Sequence, residues 1–345
     1  MHQLARWFTR SSGHFAPAGH LRRTAWLIRY GLYGWLQRRA IPLFAGMVLL
    51  ALSLLFFTYR IKTSALPTDL RFANTQPFYV GLTDPSAGQP ALPASVTLIT
   101  PHSVDWPMAA NSTIHFSPRN VDGQLPLLYI RASGPTDTTE RSTQAFLESI
   151  VRGQRDAALR TWAQNVRQMQ RPVLISFLPE FDDPAHLYGL RQDTSLVLYR
   201  QAWQYIVRVC RQQRATNITW VWCPTQPSTV VTYYPGTTYV DWLGFAVVNN
   251  PALAADHKEH SFAALFQLPH TTVRSHVAYS IRQKPILITR LESVTDNTPD
   301  RQWTLDALEL MKERYPTIRG VVFSKPSDLQ AVPATWLAIY QPTRR

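Results

Sequence analysis

No aspartate or glutamate precedes Asp69, and the whole chain sets only 22 acidic residues against 35 Lys and Arg, for a net charge of +13. Charge of either sign is sparse at 17% beside 45% hydrophobic residues, a balance that excludes a disordered chain. Cysteine is nearly absent. Cys210 falls late in a helical pattern and Cys223 at the far end of the following strand, so the two belong at opposite ends of a βα layer. A disulfide needs Cα atoms within about 7 Å, and two buried thiols are the expectation. Internal repeats, P-loops, Rossmann fingerprints, HExxH patterns and Cys/His clusters are all missing, so neither a metal nor a cofactor is expected. The ten histidines are scattered, and His257 and His260 flank Glu259 in a polar stretch that reads as a solvated loop.

The excess positive charge is unevenly placed. Residues 1–40 carry Arg6, Arg10, Arg22, Arg23, Arg29, Arg38 and Arg39, as a segment facing anionic lipid would. Taking these seven from the net +13 leaves +6 over the remaining 305 residues, too diffuse for a nucleic-acid groove. Residues 41–59 contain no charge, and at about 1.5 Å per residue they are just long enough to cross a hydrocarbon core. Arg60 and Lys62 follow. With seven arginines before this span, the positive-inside rule keeps residues 1–40 in the cytoplasm and sends the bulk of the chain outward. The expectation is therefore a single-pass anchor in a bacterial cytoplasmic membrane. Residues 60–76, polar and containing a proline, read as a linker to a periplasmic or extracellular domain over 77–345.

That domain alternates short apolar runs with longer helical patterns. The runs are 77–82, 95–100, 126–131, 172–177, 218–222, 239–245, 285–289 and 320–323. Amphipathic stretches RDAALRTWAQNVRQMQ, SLVLYRQAWQYIVRVCRQQ and RQWTLDALELMKERY precede the fourth, fifth and eighth, while the first two crossovers show the poorest helical patterns. Eight strands with intervening helices predict an α/β fold, a (β/α)8 TIM barrel, whose chemistry sits just beyond the carboxyl ends of the strands. After the fourth strand come Glu180, Asp182 and Asp183; after the fifth, Trp222; at the seventh, Arg290 and Glu292.

The runs RPVLISFLPEFDD, ATNITWVWCPTQPS, YYPGTTYVDWLGF and KPILITRLES, in that order and spacing, resemble glycoside hydrolase family 26, the β-mannanase family of retaining (β/α)8 barrels. The resemblance covers about residues 77 to 325, and YYPG-x-x-YVDW-x-G is its most specific piece. It implies that Glu180 is the general acid/base. It also implies that Arg290 occupies the place of the nucleophilic glutamate. Three further departures surround these two. Pro179 stands where the family keeps a histidine before Glu180, Phe245 to Asn249 replace an aspartate and tyrosine, and Phe323 replaces a tryptophan.

An arginine facing Glu180 would keep that carboxylate ionised, whereas a general acid needs its pKa raised, and an arginine forms no glycosyl-enzyme intermediate. Each residue keeps a second reading. Glu180 is either a functional acid or a strand-end carboxylate paired with an arginine, and Arg290 is a structural or ligand-contacting cation. Glu292 shares a face with Arg290 by strand alternation, although about 6.6 Å along the chain, and is either a displaced nucleophile or a surface charge. Trp222 is either core or a sugar platform, and Tyr234 belongs to a turn or touches ligand; Asp182 is a further ligand-contact candidate.

The expected protein binds or guides a β-linked polysaccharide without cleaving it. A membrane-bound glycosyltransferase is the partner that location suggests. The alternative is an active glycosidase with Glu180 as acid/base and Glu292 as nucleophile, or an inverting enzyme that uses Asp182, Asp183 or Glu292.

Overall fold

The computed structural model describes residues 78–332 apart from 84–97, 109–113, 115–123, 134–138, 184, 187, 253, 296–297, 300 and 331. The basic segment 1–40, the span 41–59 and the linker 60–76 lie outside the described residues. Among those described, no helix is long and apolar enough to cross a membrane.

Eight parallel strands close on themselves. They are β1 (Tyr79–Leu82), β2 (Leu98–Pro107), β3 (Gln124–Ser133), β4 (Val173–Phe177), β5 (Ile218–Trp222), β6 (Trp242–Asn249), β7 (Ile286–Thr295) and β9 (Ile318–Phe323). Each pairs with its successor, β9 returns to β1, and β6–β7 completes the ring. The two-residue β8 (Thr298–Pro299) runs antiparallel to the end of β7. Helices α1 (Glu140–Val151), α2 (Asp156–Gln168), α3 (Asp193–Gln212), α4 (Pro227–Tyr233), α5 (Phe262–Ser275) and α6 (Arg301–Arg314) lie in the crossovers from β3 onward, and α7 (Pro326–Gln330) follows β9. Closure leaves no edge strand in the ring, so backbone pairing is satisfied all round.

All eight expected strands exist, with shifted ends. β2 continues seven residues past Thr100 because its register with β3 is unbroken from Leu98↔Gln124 to Pro107↔Ser133. β6 begins at Trp242 and not at Tyr239, since the Tyr239 N–H is turned back onto the Gly236 carbonyl at 2.9 Å. The Asp241 carboxylate accepts from the Trp220 N–H at 2.8 Å, so this residue locks the entry of β6 against β5.

Two apolar layers follow from strand alternation. Ile99, Leu125, Leu127, Leu174, Val221, Trp242, Leu287 and Val322 fill the barrel interior. The opposite strand faces meet the helices. α3 contributes Leu196, Tyr199, Trp203, Ile206, Val207 and Cys210 at spacings of one to four residues, the stripe that a 3.6-residue period places on one face. The interior is tightly filled at Gly244, where a Cβ would collide with Cys223 Sγ and approach Thr289 Cγ2 to 2.9 Å. Cys210 and Cys223 are both buried and unbridged; burial pushes the Cys223 thiol up to about 12.

Candidate active site

The turn after β4 is wound against its preference. Leu178 and Glu180 both adopt left-handed backbone angles (φ 45° and 56°) around Pro179, a conformation that costs a non-glycine residue about 1–3 kcal/mol. Three hydrogen bonds hold it. The Leu178 N–H donates to the Ile130 carbonyl of β3 at 2.8 Å, and the Glu180 N–H to the Cys223 carbonyl beyond β5 at 2.8 Å. The Tyr188 hydroxyl donates to the Pro179 carbonyl at 2.9 Å. Residues buried on three sides thus aim one carboxylate at the barrel mouth.

Glu180 meets His186, whose Nε2 lies 2.7 Å from its Oε2. The His186 ring stacks on Tyr188 with centroids 5.2 Å apart. The bond to His186 holds the Glu180 carboxyl below its ordinary range despite burial, and the Arg290 and Arg131 charges add to that effect. Reciprocally, the bond to Glu180 raises the imidazole of His186. Side-chain exposures of 27% and 34% leave the pair reachable from solvent. The direct ion-pair partner of Glu180 is His186, not an arginine, while Arg290 lowers the Glu180 carboxyl from farther away.

Arg290 owes its position to a β-bulge. Opposite Phe245–Ala246 of β6, β7 spends an extra residue, since Ile288 pairs Phe245 and Arg290 pairs Ala246. The pairing with β9 slips over the same stretch. Such an insertion breaks the two-residue alternation, so Thr289 and Arg290 both line the mouth. Beyond it Leu291 is buried, and Glu292 accepts from the Ser324 hydroxyl at 3.2 Å on the seam between β7 and β9.

The mouth cavity holds about 140 Å³, less than the roughly 300–1,000 Å³ of small-molecule pockets. Its charged lining consists of Glu180, Arg131 and Arg290, with Tyr129, Thr289, Thr83 and Cys223 also contributing. Glu180 is the one carboxylate among these described lining residues, and Glu292 is not among them. Burial drives Tyr129 well above the ordinary phenol range, so its hydroxyl is a neutral donor there.

The other expected site residues serve the walls. Asp182 is buried, and its carboxylate accepts from the Thr225 N–H (2.8 Å), the Thr225 hydroxyl (2.9 Å) and the Gln226 N–H (2.8 Å) ahead of α4. Trp222 is fully buried against Phe181 and Tyr234, with centroids 6.0 and 5.5 Å away, and offers no open face. Tyr234 packs between Trp222 and His276, and burial pushes its hydroxyl up to about 12. His260 bonds Asp256 at 2.9 Å in an exposed loop. Sequence reasoning missed Arg131 and His186. Arg131 sits inside an apolar strand pattern, and only its place at the carboxyl end of β3 could have flagged it. His186 lies in an irregular loop with no periodicity to read.

A Vibrio protein described as "Beta-1,3-xylanase TXYA" is 29% identical over 110 residues, covering 30% of this chain and 23% of that protein. An Alcaligenes "Beta-1,3-xylanase" is 27% identical over 110 residues, covering 30% and 22%. The aligned region thus spans less than a quarter of either relative. Among solved structures, GH26C from Muricauda sp. superposes with a TM-score of 0.50 at 14% identity, over 73% of this chain and 80% of its own, a likeness of fold. By sequence, residues 136–291, from just before α1 through the bulge of β7 and so including both Glu180 and Arg290, match the model of glycosyl hydrolase family 26.

Proposed function

We propose that this protein binds a β-linked polysaccharide at its barrel mouth and does not hydrolyse it by the retaining route. The observation that carries the reading is the charge inventory of the cavity among the described residues: one carboxylate, Glu180, with guanidinium groups from Arg131 and Arg290. Retention needs two carboxyl groups about 5–5.5 Å apart, one protonated to release the leaving oxygen and one ionised to attack. Glu180 is held ionised by His186, the reverse of what a general acid requires. Arg290 cannot form the covalent intermediate, and Glu292 is turned to Ser324. What remains suits recognition: donors from Tyr129 and two guanidiniums facing an acceptor-rich ligand.

The similarity to proteins described as xylanases, together with the family match over the site, supports a β-linked glycan as the ligand class. The uncharged span 41–59 supports display at a bacterial cytoplasmic membrane, with a polysaccharide-making glycosyltransferase as neighbour.

Calorimetric titration of the full-length protein in detergent with β-1,3-xylan and β-mannan oligosaccharides is expected to give saturable binding with no reducing sugar released above a protein-free blank. Hydrolysis that disappears in Glu180→Gln would sink the proposal.

A further inference from the structure

The placement of the two guanidiniums around the mouth cavity specifies the ligand more narrowly, an inference that rests on the glycan-binding reading above. Arg131 lies near the carboxyl end of β3 and Arg290 sits on the bulge of β7, and in the ring order those strands stand four positions apart, on opposite walls. Both side chains are exposed. Among the described residues the ion pairs are Arg152–Glu148, Arg160–Asp156, His186–Glu180 and His260–Asp256, so neither mouth arginine is neutralised by a partner. Asp105, the register neighbour of Arg131 on β2, forms no ion pair with it.

The nearby carboxylates each have a bonding partner of their own. Glu180 is bonded to His186, and Asp183, which bears on the same imidazole, accepts from the Ala185 N–H at 2.8 Å. With the Glu180 carboxylate engaged by His186, the two guanidiniums are the charged donors of the mouth left without an ion-pair partner among the described residues. A neutral sugar gives a guanidinium only hydroxyl acceptors, which water replaces at little cost, whereas a carboxylate takes two parallel N–H bonds and the full Coulomb attraction.

We infer that the mouth selects an acidic glycan, one whose uronosyl residue places its C6 carboxylate between Arg131 and Arg290. The bulge of β7 serves this purpose: without the extra residue, strand alternation would let only one of Thr289 and Arg290 face the cavity.

The test is a calorimetric comparison of β-1,4-linked oligoglucuronides with neutral β-1,4-linked oligosaccharides of equal length, on the full-length protein in detergent. The wild type is expected to prefer the uronide roughly tenfold or more, the preference shrinking in 0.5 M salt. Arg131→Gln and Arg290→Gln should each cut the uronide-to-neutral affinity ratio several-fold. Arg290→Lys should fall between, because it keeps the charge and loses the fork. Arg208→Gln, which removes an equal charge from the exposed face of α3, should leave the ratio as it was.

Equal affinity for both oligosaccharides overturns this inference while the glycan-binding reading stands. No binding to either, nor to β-1,3-xylan oligosaccharides, overturns both. Displacement of the uronide by inorganic phosphate at lower concentration than by free glucuronate would assign the site to phosphate and overturn the carboxylate. A ratio that moves in Arg208→Gln as much as in Arg290→Gln would reduce the preference to general charge.

Discussion

A carboxylate depressed by an imidazole and an imidazole raised by that carboxylate stabilise the fold over opposite halves of the pH scale. Glu180, lowered from its ordinary 4.5, contributes stability above that value and loses it as pH falls through its folded pKa. His186, raised from 6.5, contributes below that value and loses it as pH rises through its own folded pKa. The pair therefore works best between roughly the two ordinary values. His186→Gln should flatten the alkaline decline in melting temperature just above pH 6.5, read by thermal unfolding from pH 4 to 9. An unchanged profile would mean the pair forms only weakly in solution. The strained turn that presents Glu180 was not legible in LPEFDD. Left-handed angles at Leu178 and Glu180 arise because Ile130, Cys223 and Tyr188, distant in sequence, offer the bonds that hold them.

The carboxyl-end loops of β4 and β5 are joined by Asp182. Its three hydrogen bonds pin Thr225 and Gln226 at the approach to α4. Asp182→Ala leaves two backbone N–H groups unsatisfied and is expected to cost about 1–3 kcal/mol, with Asp182→Asn less damaging. Thermal unfolding of both variants checks this, and an alanine variant as stable as the parent would show that water replaces the carboxylate. The helices α2, α3 and α6 were readable because their apolar positions repeat at helical spacing. The bulge in β7 was not readable: ILITRLES alternates like an ordinary strand, and the extra residue exists only relative to β6 and β9.

Across the whole chain, charge asymmetry carries a topological prediction. Seven arginines before residue 41 and no acidic residue before Asp69 predict, by the positive-inside rule, that residues 1–40 lie inside and the domain outside. Alkaline phosphatase fused after residue 76 should be active, fused at residue 35 inactive; the reverse pattern, or activity unaffected by deleting 41–59, would refute the anchor. The eight strands, their order, the barrel they imply and the likeness to family 26 followed from the sequence alone, because hydrophobic period and strand spacing are local properties that survive in one dimension. So did the presence of an arginine, Arg290, near the carboxyl end of the seventh strand. What that arginine does was decided only in three dimensions. Ring closure set β3 opposite β7, a six-residue loop returned His186 to Glu180, and a bulge turned Arg290 into the mouth. Each of these depends on contacts between segments far apart in the chain, and no local pattern records them.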